Sequence, residues 1–428
     1  MTAIVGIINP QGAAIAADST STLTIGSKVK TADTANKLFA LSKYHPVGIM
    51  IYNAADFMGL SWEAIIKAYR SDLGENSFDT LDEYKLGFLD FLSNIKNKWN
   101  IPQRSVLAHF NLVVYKLVVE KIQSSYNQRL KQNQGSNNPI DIYFSCVSDL
   151  LNSYESGVKH HGLMLSDNNW RNSYTSLIQQ FINQSESVLK KTDQNFSIST
   201  DQKDQFIALI KAAINSNNFA HYTGIGFIGF GEKELLPSCL NIQIDGLIDD
   251  KLKFTQIQSR DLINNTAWII PFAQWHESNN VVHGIHPVFK DFIHKQAAVS
   301  FANMQNELFD FVKDKIPTDT SQLEQELEQI QIKHKNTFIN SLKNHENNSH
   351  VQKIFASINF LQPYELAELA ESLVRITYLK LKFSSDATSV GGPIDVAVIT
   401  KGDGFIWVKR KHYFKPELNY AFFNTYLK

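Results

Sequence analysis

Cysteine is nearly missing from this chain: Cys146 and Cys239 are the only two among 428 residues. They are too few for a disulfide framework and show no paired metal spacing, a pattern that suits a reducing, cytoplasmic setting. No apolar run approaches the roughly 18 residues of a membrane-spanning helix. The apolar opening, Met1 to Ala17, has no basic start and is broken by Asn9-Pro10-Gln11-Gly12, so it reads as two strands and a turn, not a leader. Charge of one sign is also lacking. Lys plus Arg number 41 and Asp plus Glu 42, a net charge of -1 that provides no global field for nucleic acid or an anionic membrane, and neither is expected as a partner. There is no internal repeat. What is present is a globular composition, 43% hydrophobic with 28 Phe and 15 Tyr, which excludes a disordered or collagenous chain. At roughly 150 residues per domain, the length allows two or three domains, or one fold carrying large insertions.

Hydrophobic period divides the chain into three strand-rich blocks separated by two helical ones. Residues 2–8 and 12–19 predict a hairpin of buried strands, and strand-like runs follow at 23–30, 37–41 and 47–52. A helical pattern carrying Trp62, Ile65, Ile66 and Tyr69 is expected from near Asp56. From about 76 to 218 the spacing is helical, opened by Thr80 and Glu83 as a capping box and interrupted by the Asn-rich stretch 132–139. Residues 222–260 return to strands as a meander. A second helical block, about 285–346, predicts two antiparallel helices of about 25 residues, roughly 37 Å long. The chain closes with a helix from about Tyr364 to Phe383 and strands at 394–400 and 405–409, turned at Gly402-Asp403-Gly404.

The chemistry lies at the front. The small side chain of Thr2 is compatible with removal of Met1, which would put a hydroxyl and a free amine on one residue. An N-terminal threonine is a self-contained nucleophile, because its own α-amine accepts the hydroxyl proton as the oxygen attacks a carbonyl. That amine titrates near 7.7 to 8.0 unperturbed, and a neighbouring lysine would lower it further. Asp18 ends the second predicted strand and Lys37 begins a later one, so strand pairing would bring both towards Thr2.

Three separated stretches resemble the proteasome β-subunit family of N-terminal nucleophile (Ntn) hydrolases, which includes the bacterial heat-shock peptidase HslV. They are Thr2-Ala-Ile-Val-Gly-Ile with Gly12-Ala-Ala-Ile-Ala-Ala-Asp-Ser, then Asn36-Lys37-Leu38-Phe39, and finally Asp386, Ser389 and the run Gly391-Gly392-Pro393-Ile394-Asp395. The resemblance covers roughly half the chain. It implies an α+β fold, a four-layer αββα sandwich of two antiparallel sheets flanked by helices. The core would comprise 1–75, 219–284 and 360–428, with helical insertions at 76–218 and 285–359. It further implies Thr2 as nucleophile and base, Lys37 as electrostatic tuner, Asp18 as its orienting carboxylate, and Asp386 and Ser389 as supports of the amine. The oxyanion donor would be the backbone amide of Asn53, where the family has glycine, and Ile51 and Ala55 would line the substrate pocket. The implied activity is a threonine-type peptidase acting on peptides or unfolded polypeptides, without metal or cofactor. Assembly as a homo-oligomeric ring, with an ATPase partner, belongs to the same family pattern.

The chain departs from that pattern before Pro271, where Thr266-Ala267-Trp268-Ile269-Ile270 lacks the family's second supporting serine, leaving Thr266 or a water as substitute. Two alternatives therefore stay open: a small-molecule amidase or acyl-transfer enzyme, and a catalytically impaired scaffold. Other candidates are weaker. Gly224-x-Gly226-x-x-Gly229 mimics a dinucleotide fingerprint but is followed by turn and strand instead of a helix N-terminus. His283 and His286 flank Gly284 and precede Pro287, without completing a ligand set, and read as surface histidines. His160 and His161 sit among polar loops. His334 reads as an edge-of-core residue, Trp268 and Trp275 as packing a helix on a sheet, and Lys409-Arg410-Lys411 as a solvated strand end.

Overall fold

The computed structural model describes residues 2–25, 28–95, 98, 118–132, 138–156, 169–216, 222–248, 251–262, 267–313, 321–383, 390–412 and 414–421. In chain order the strands β1 (Ile4–Asn9), β2 (Gly12–Ala17), β3 (Ser21–Ile25), β4 (Lys28–Ala32), β5 (Leu38–Ala40), β6 (Val47–Asn53), β7 (Asp56–Phe57) and β8 (Leu60–Ser61) precede helices α1 (Trp62–Leu73) and α2 (Leu81–Ser93). Helices α3 (Glu120–Gln132), α4 (Pro139–Ser156), α5 (Asn169–Leu189) and α6 (Thr200–Asn215) follow. Then come β9 (Thr223–Gly229), β10 (Ser238–Ile248), β11 (Lys251–Arg260) and β12 (Trp268–Ala273). The chain continues through α7 (Trp275–His283), α8 (Pro287–Lys313), α9 (Ser321–Glu346), α10 (Gln352–Ile358) and α11 (Pro363–Phe383) to β13 (Asp395–Thr400) and β14 (Gly404–Lys409). The fold is mixed α+β, with two five-stranded antiparallel sheets. Among the described residues no helix is long and apolar enough to cross a membrane.

Two compact units divide the chain. The first comprises residues 1–38, 235–238 and 260–428 and holds the sheet β12-β1-β2-β13-β14. The β1–β2 turn is set by Asn9, whose Oδ1 accepts from the amides of Gln11 (2.9 Å) and Gly12 (3.2 Å). Its amide nitrogen donates to the carbonyls of Ile358 and Leu361, tying the turn to the end of α10. The alternation expected of strands puts Val5, Ile7, Ala14, Ala16, Val396 and Val398 in one cluster with Leu366, Ala370, Leu373 and Val374 of α11. Alanine on β2 is what lets a helix lie close over the sheet.

The second unit, residues 39–234 and 239–259, holds the sheet β11-β10-β9-β6-β5. Trp62, Ile65, Ile66 and Tyr69 of α1 and Tyr84, Phe88 and Leu92 of α2 pack with Ile49, Ile225, Phe227 and Ile242 of the strands. Helices α3 to α6 form a separate apolar cluster around Tyr143, Val147, Phe206 and Ile210. The capping box of α2 is made as the sequence predicts, Thr80 Oγ1 accepting from the Glu83 amide at 3.2 Å.

The structure differs from the sequence reading at four places. The run 23–30 is not one strand: it turns over to make the β3–β4 hairpin. Helix α1 begins at Trp62, not near Asp56, because Met58 and Gly59 take φ of 55° and 86° and close the small β7–β8 hairpin first. His334 is exposed, and so is Trp275, which stacks on His276 instead of packing inside; Trp268 does meet a helix, through Phe355. The glycines of the 224–229 run lie within β9, in the strand block expected there, and a Cβ on Gly224 would sit 1.9 Å from the Tyr52 ring, so this glycine answers to packing.

Candidate active site

Strand pairing builds the site from the ends of β1 and β2. Ile4 stands opposite Ala17, so the residues before Ile4 run beside those after Ala17. The Asp18 amide donates to the Ala3 carbonyl at 3.1 Å, and the Ala3 amide donates to Asp18 Oδ1 at 2.9 Å. Thr2, half-buried, is the next residue outward.

Asp18 is 1% exposed and its carboxylate is fully enclosed by donors. Oδ1 also accepts from Lys37 Nζ at 2.7 Å, and Oδ2 accepts from the amides of Thr20 and Gly391, each at 3.2 Å. Because one oxygen receives both the Ala3 amide and the Lys37 ammonium, those nitrogens are no further apart than the 2.9 Å and 2.7 Å bonds laid end to end. The charge of Lys37 is thereby held at the entrance to β1.

Lys37, 6% exposed, spends a second N–H on the Thr20 carbonyl at 2.6 Å. Thr20 in turn donates through Oγ1 to Asp33 Oδ1 at 2.7 Å. Burial pushes the Lys37 pKa below the usual lysine value, the Asp18 charge and hydrogen bond oppose that shift, and the nearby Lys411 adds to it. Lys411 itself is paired with Asp395, which stands opposite Ala17 in the β13–β2 register. A lysine so enclosed acts chemically as a fixed, dry positive charge. At an effective dielectric near 20, such a charge about 4 Å from an amine disfavours its protonation by up to about 4 kcal/mol, and it favours an oxyanion by the same physics.

The other expected residues belong to the second unit or fall outside the described residues. Asp386, Ser389 and Thr266 are all outside the described residues, as are His160 and His161. Asn53 ends β6 in the second unit with φ of 72°, the left-handed backbone that glycine adopts most freely and asparagine tolerates best among other residues. Its side chain donates to the Tyr222 carbonyl at 2.8 Å. Ile51 is 6% exposed and belongs to the apolar cluster of its unit, while Ala55 is exposed beyond the strand.

Three participants escaped the sequence reading. The Thr20 carbonyl and the Gly391 amide are backbone groups, which no side-chain pattern announces. Asp33 is a solvent-facing residue in a polar stretch that carries no motif. The signal available for Gly391 was its place in Gly391-Gly392-Pro393, where a Cβ would meet Thr20 Oγ1 at 3.1 Å. The basic run near the end is structural: Lys409 pairs with Glu371, Lys411 with Asp395, and Arg410 lies over Trp407. His286 and His283 are likewise engaged with Glu277 and Glu346, and no group of three metal-ligating side chains occurs among the described residues. Neither a known family model nor a curated protein matches the chain.

Proposed function

We propose that the chain is an N-terminal-threonine hydrolase of the Ntn type, cleaving amide bonds in peptides through an acyl-ester on Thr2 after loss of Met1. One observation carries this reading. Lys37 Nζ lies 2.7 Å from the Asp18 oxygen that also binds the Ala3 amide, which puts a buried cation beside the residue following Thr2. The resemblance to proteasome β-subunits supplies the αββα sandwich as the arrangement of the two sheets.

In this reading the remaining N–H of Lys37 would face the Thr2 oxygen. The Thr2 hydroxyl attacks the scissile carbonyl while the α-amine takes its proton, directly or through a water. The carbonyl oxygen becomes an oxyanion, for which the resemblance assigns the Asn53 amide as donor. The amine then protonates the departing nitrogen, the C–N bond breaks, and an ester remains on Thr2. Water, deprotonated by the same amine, hydrolyses that ester and restores the hydroxyl. The Lys37 charge keeps the α-amine neutral and basic at working pH. Asp386 and Ser389 would hold the amine in place.

Treatment with a peptide epoxyketone, followed by intact mass and N-terminal peptide analysis, tests the proposal. The expected result is a single adduct on a chain beginning at Thr2. An unmodified chain that still begins at Met1 rejects the mechanism, and turnover of small amides without peptides would reassign the substrate class.

A further inference from the structure

The hairpin of α8 and α9 presents apolar side chains that it does not itself cover. None of the 27 residues of α8 is buried, although the helix carries Phe289, Phe292, Met304 and Leu308 at 45 to 57% exposure. On α9, Ile330 and Phe338 are 51% and 41% exposed. The two helices run antiparallel: Lys290 near the start of α8 pairs with Glu346 at the end of α9 at 2.6 Å, and the rings of Phe301 and Phe338 meet further along. A pair of helices shares only one seam, so large apolar groups on the remaining faces need a further layer, as in a four-helix bundle. The available face is about 40 Å long and about 20 Å wide, roughly 800 Å² per copy, which is the size of a standard protein interface.

Charge along the hairpin identifies what that layer is. The half nearer the tip, residues 301–313 and 321–337, carries Glu307, Asp310, Glu324, Glu326 and Glu328 against Lys313, Lys333 and Lys335. The half nearer the base, residues 287–300 and 338–346 by the register of those two contacts, carries Lys290, Lys295 and Lys343 against Asp291 and Glu346. The hairpin therefore has an acidic end and a basic end. Its best complement is a copy of itself turned end for end, and a two-fold axis supplies that copy by symmetry. Pairing in the same direction would set acid against acid, and an anionic lipid surface would be repelled by the tip.

We propose that the α8–α9 hairpins of two copies of this chain pack head to tail across a two-fold axis as a four-helix bundle, each acidic tip lying along the other's basic base. The proposal is independent of the chemistry at Thr2.

Analytical ultracentrifugation of the full chain at low and high salt tests it. A dimer at micromolar concentration is expected, weakened by salt as opposed charges are screened. Charge reversal in Glu324→Lys/Glu326→Lys/Glu328→Lys should weaken it roughly ten-fold or more. Adding Lys295→Glu/Lys343→Glu to the same chain should restore it, a result that mere loss of stability does not give. Phe292→Glu/Leu308→Glu should give a monomer with an unchanged circular dichroism spectrum, since both side chains are exposed. A monomer at every concentration, a dimer indifferent to both sets of substitutions, failure of the second reversal to restore association, or a monomeric chain that instead binds vesicles would overturn it.

Discussion

A lysine that is 6% exposed, beside a carboxylate that is 1% exposed, is tolerated only because both are saturated with partners: four donors reach Asp18, and two acceptors take Lys37. Such a pair is costly to break from one side, because the surviving charge stays buried. Lys37→Ala should therefore lower stability by about 3–5 kcal/mol in urea unfolding as well as abolish the proposed peptide cleavage. Thr2→Ala separates the two effects: it should abolish cleavage while stability changes by no more than about 1 kcal/mol. Lys253 is a further buried cation, 4% exposed, with Nζ donating to the carbonyls of Ile214 and Ser216 and lying 3.2 Å from Asp245 Oδ2. Burial pushes its pKa down to about 8 from 10.5, with Asp245 opposing. Between those values the unfolded chain binds more protons than the folded one, so unfolding free energy rises with pH. This contribution is complete above about pH 10.5, is lost as pH falls through about 8, and amounts to about 3 kcal/mol. Urea titrations from pH 7.5 to 10 should show the wild type gaining stability relative to Lys253→Met by roughly that amount.

At the scale of elements, the strands of the second unit show how closely backbone and ring are fitted. Tyr52 on β6 stands opposite Gly224 on β9, and its hydroxyl donates to Asn241 Oδ1 at 3.0 Å, which anchors the ring over the glycine. An added methyl group would fall 1.9 Å from a ring atom. Gly224→Ala should accordingly destabilise the protein by about 3 kcal/mol or more, and by less than about 1 kcal/mol in a Tyr52→Ala background. A double-mutant cycle in thermal unfolding measures that coupling. The start of α1 follows the same logic, since the left-handed pair Met58 and Gly59 turns the chain back before the helical period can take hold. Asn53 belongs with them: its φ of 72° suits a strand that ends in a backbone turn, and asparagine supplies a side-chain bond to Tyr222 that glycine would not.

Across the described residues of the molecule, the buried apolar side chains form three clusters, one in the first unit and two in the second. The α3–α6 cluster takes no apolar side chain from a strand, so its apolar core can loosen ahead of the strands, with Lys253 of β11 tying down the end of α6. Phe206→Ala, at 0% exposure within that cluster, should speed hydrogen exchange in α3 to α6 while protection in β6 and β9 is retained. Mass spectrometry of peptides from both regions reads the difference. Local chemistry alone determined much of the architecture: the β1–β2 hairpin, the Thr80 cap, the long helices α8, α9 and α11, and the closing β13–β14 pair were legible because period and punctuation act within a few residues. The same locality made Thr2, Asp18 and Lys37 candidates by residue type and position. Only the tertiary structure decided that the Asp18 carboxylate would close on an amide 373 positions away, that Lys37 would surrender its solvent, and that the α8–α9 hairpin would keep an apolar face uncovered. Those outcomes depend on which strands pair and how far burial goes. Hydrogen bonds and desolvation act over a few ångströms of space, whatever the separation along the chain.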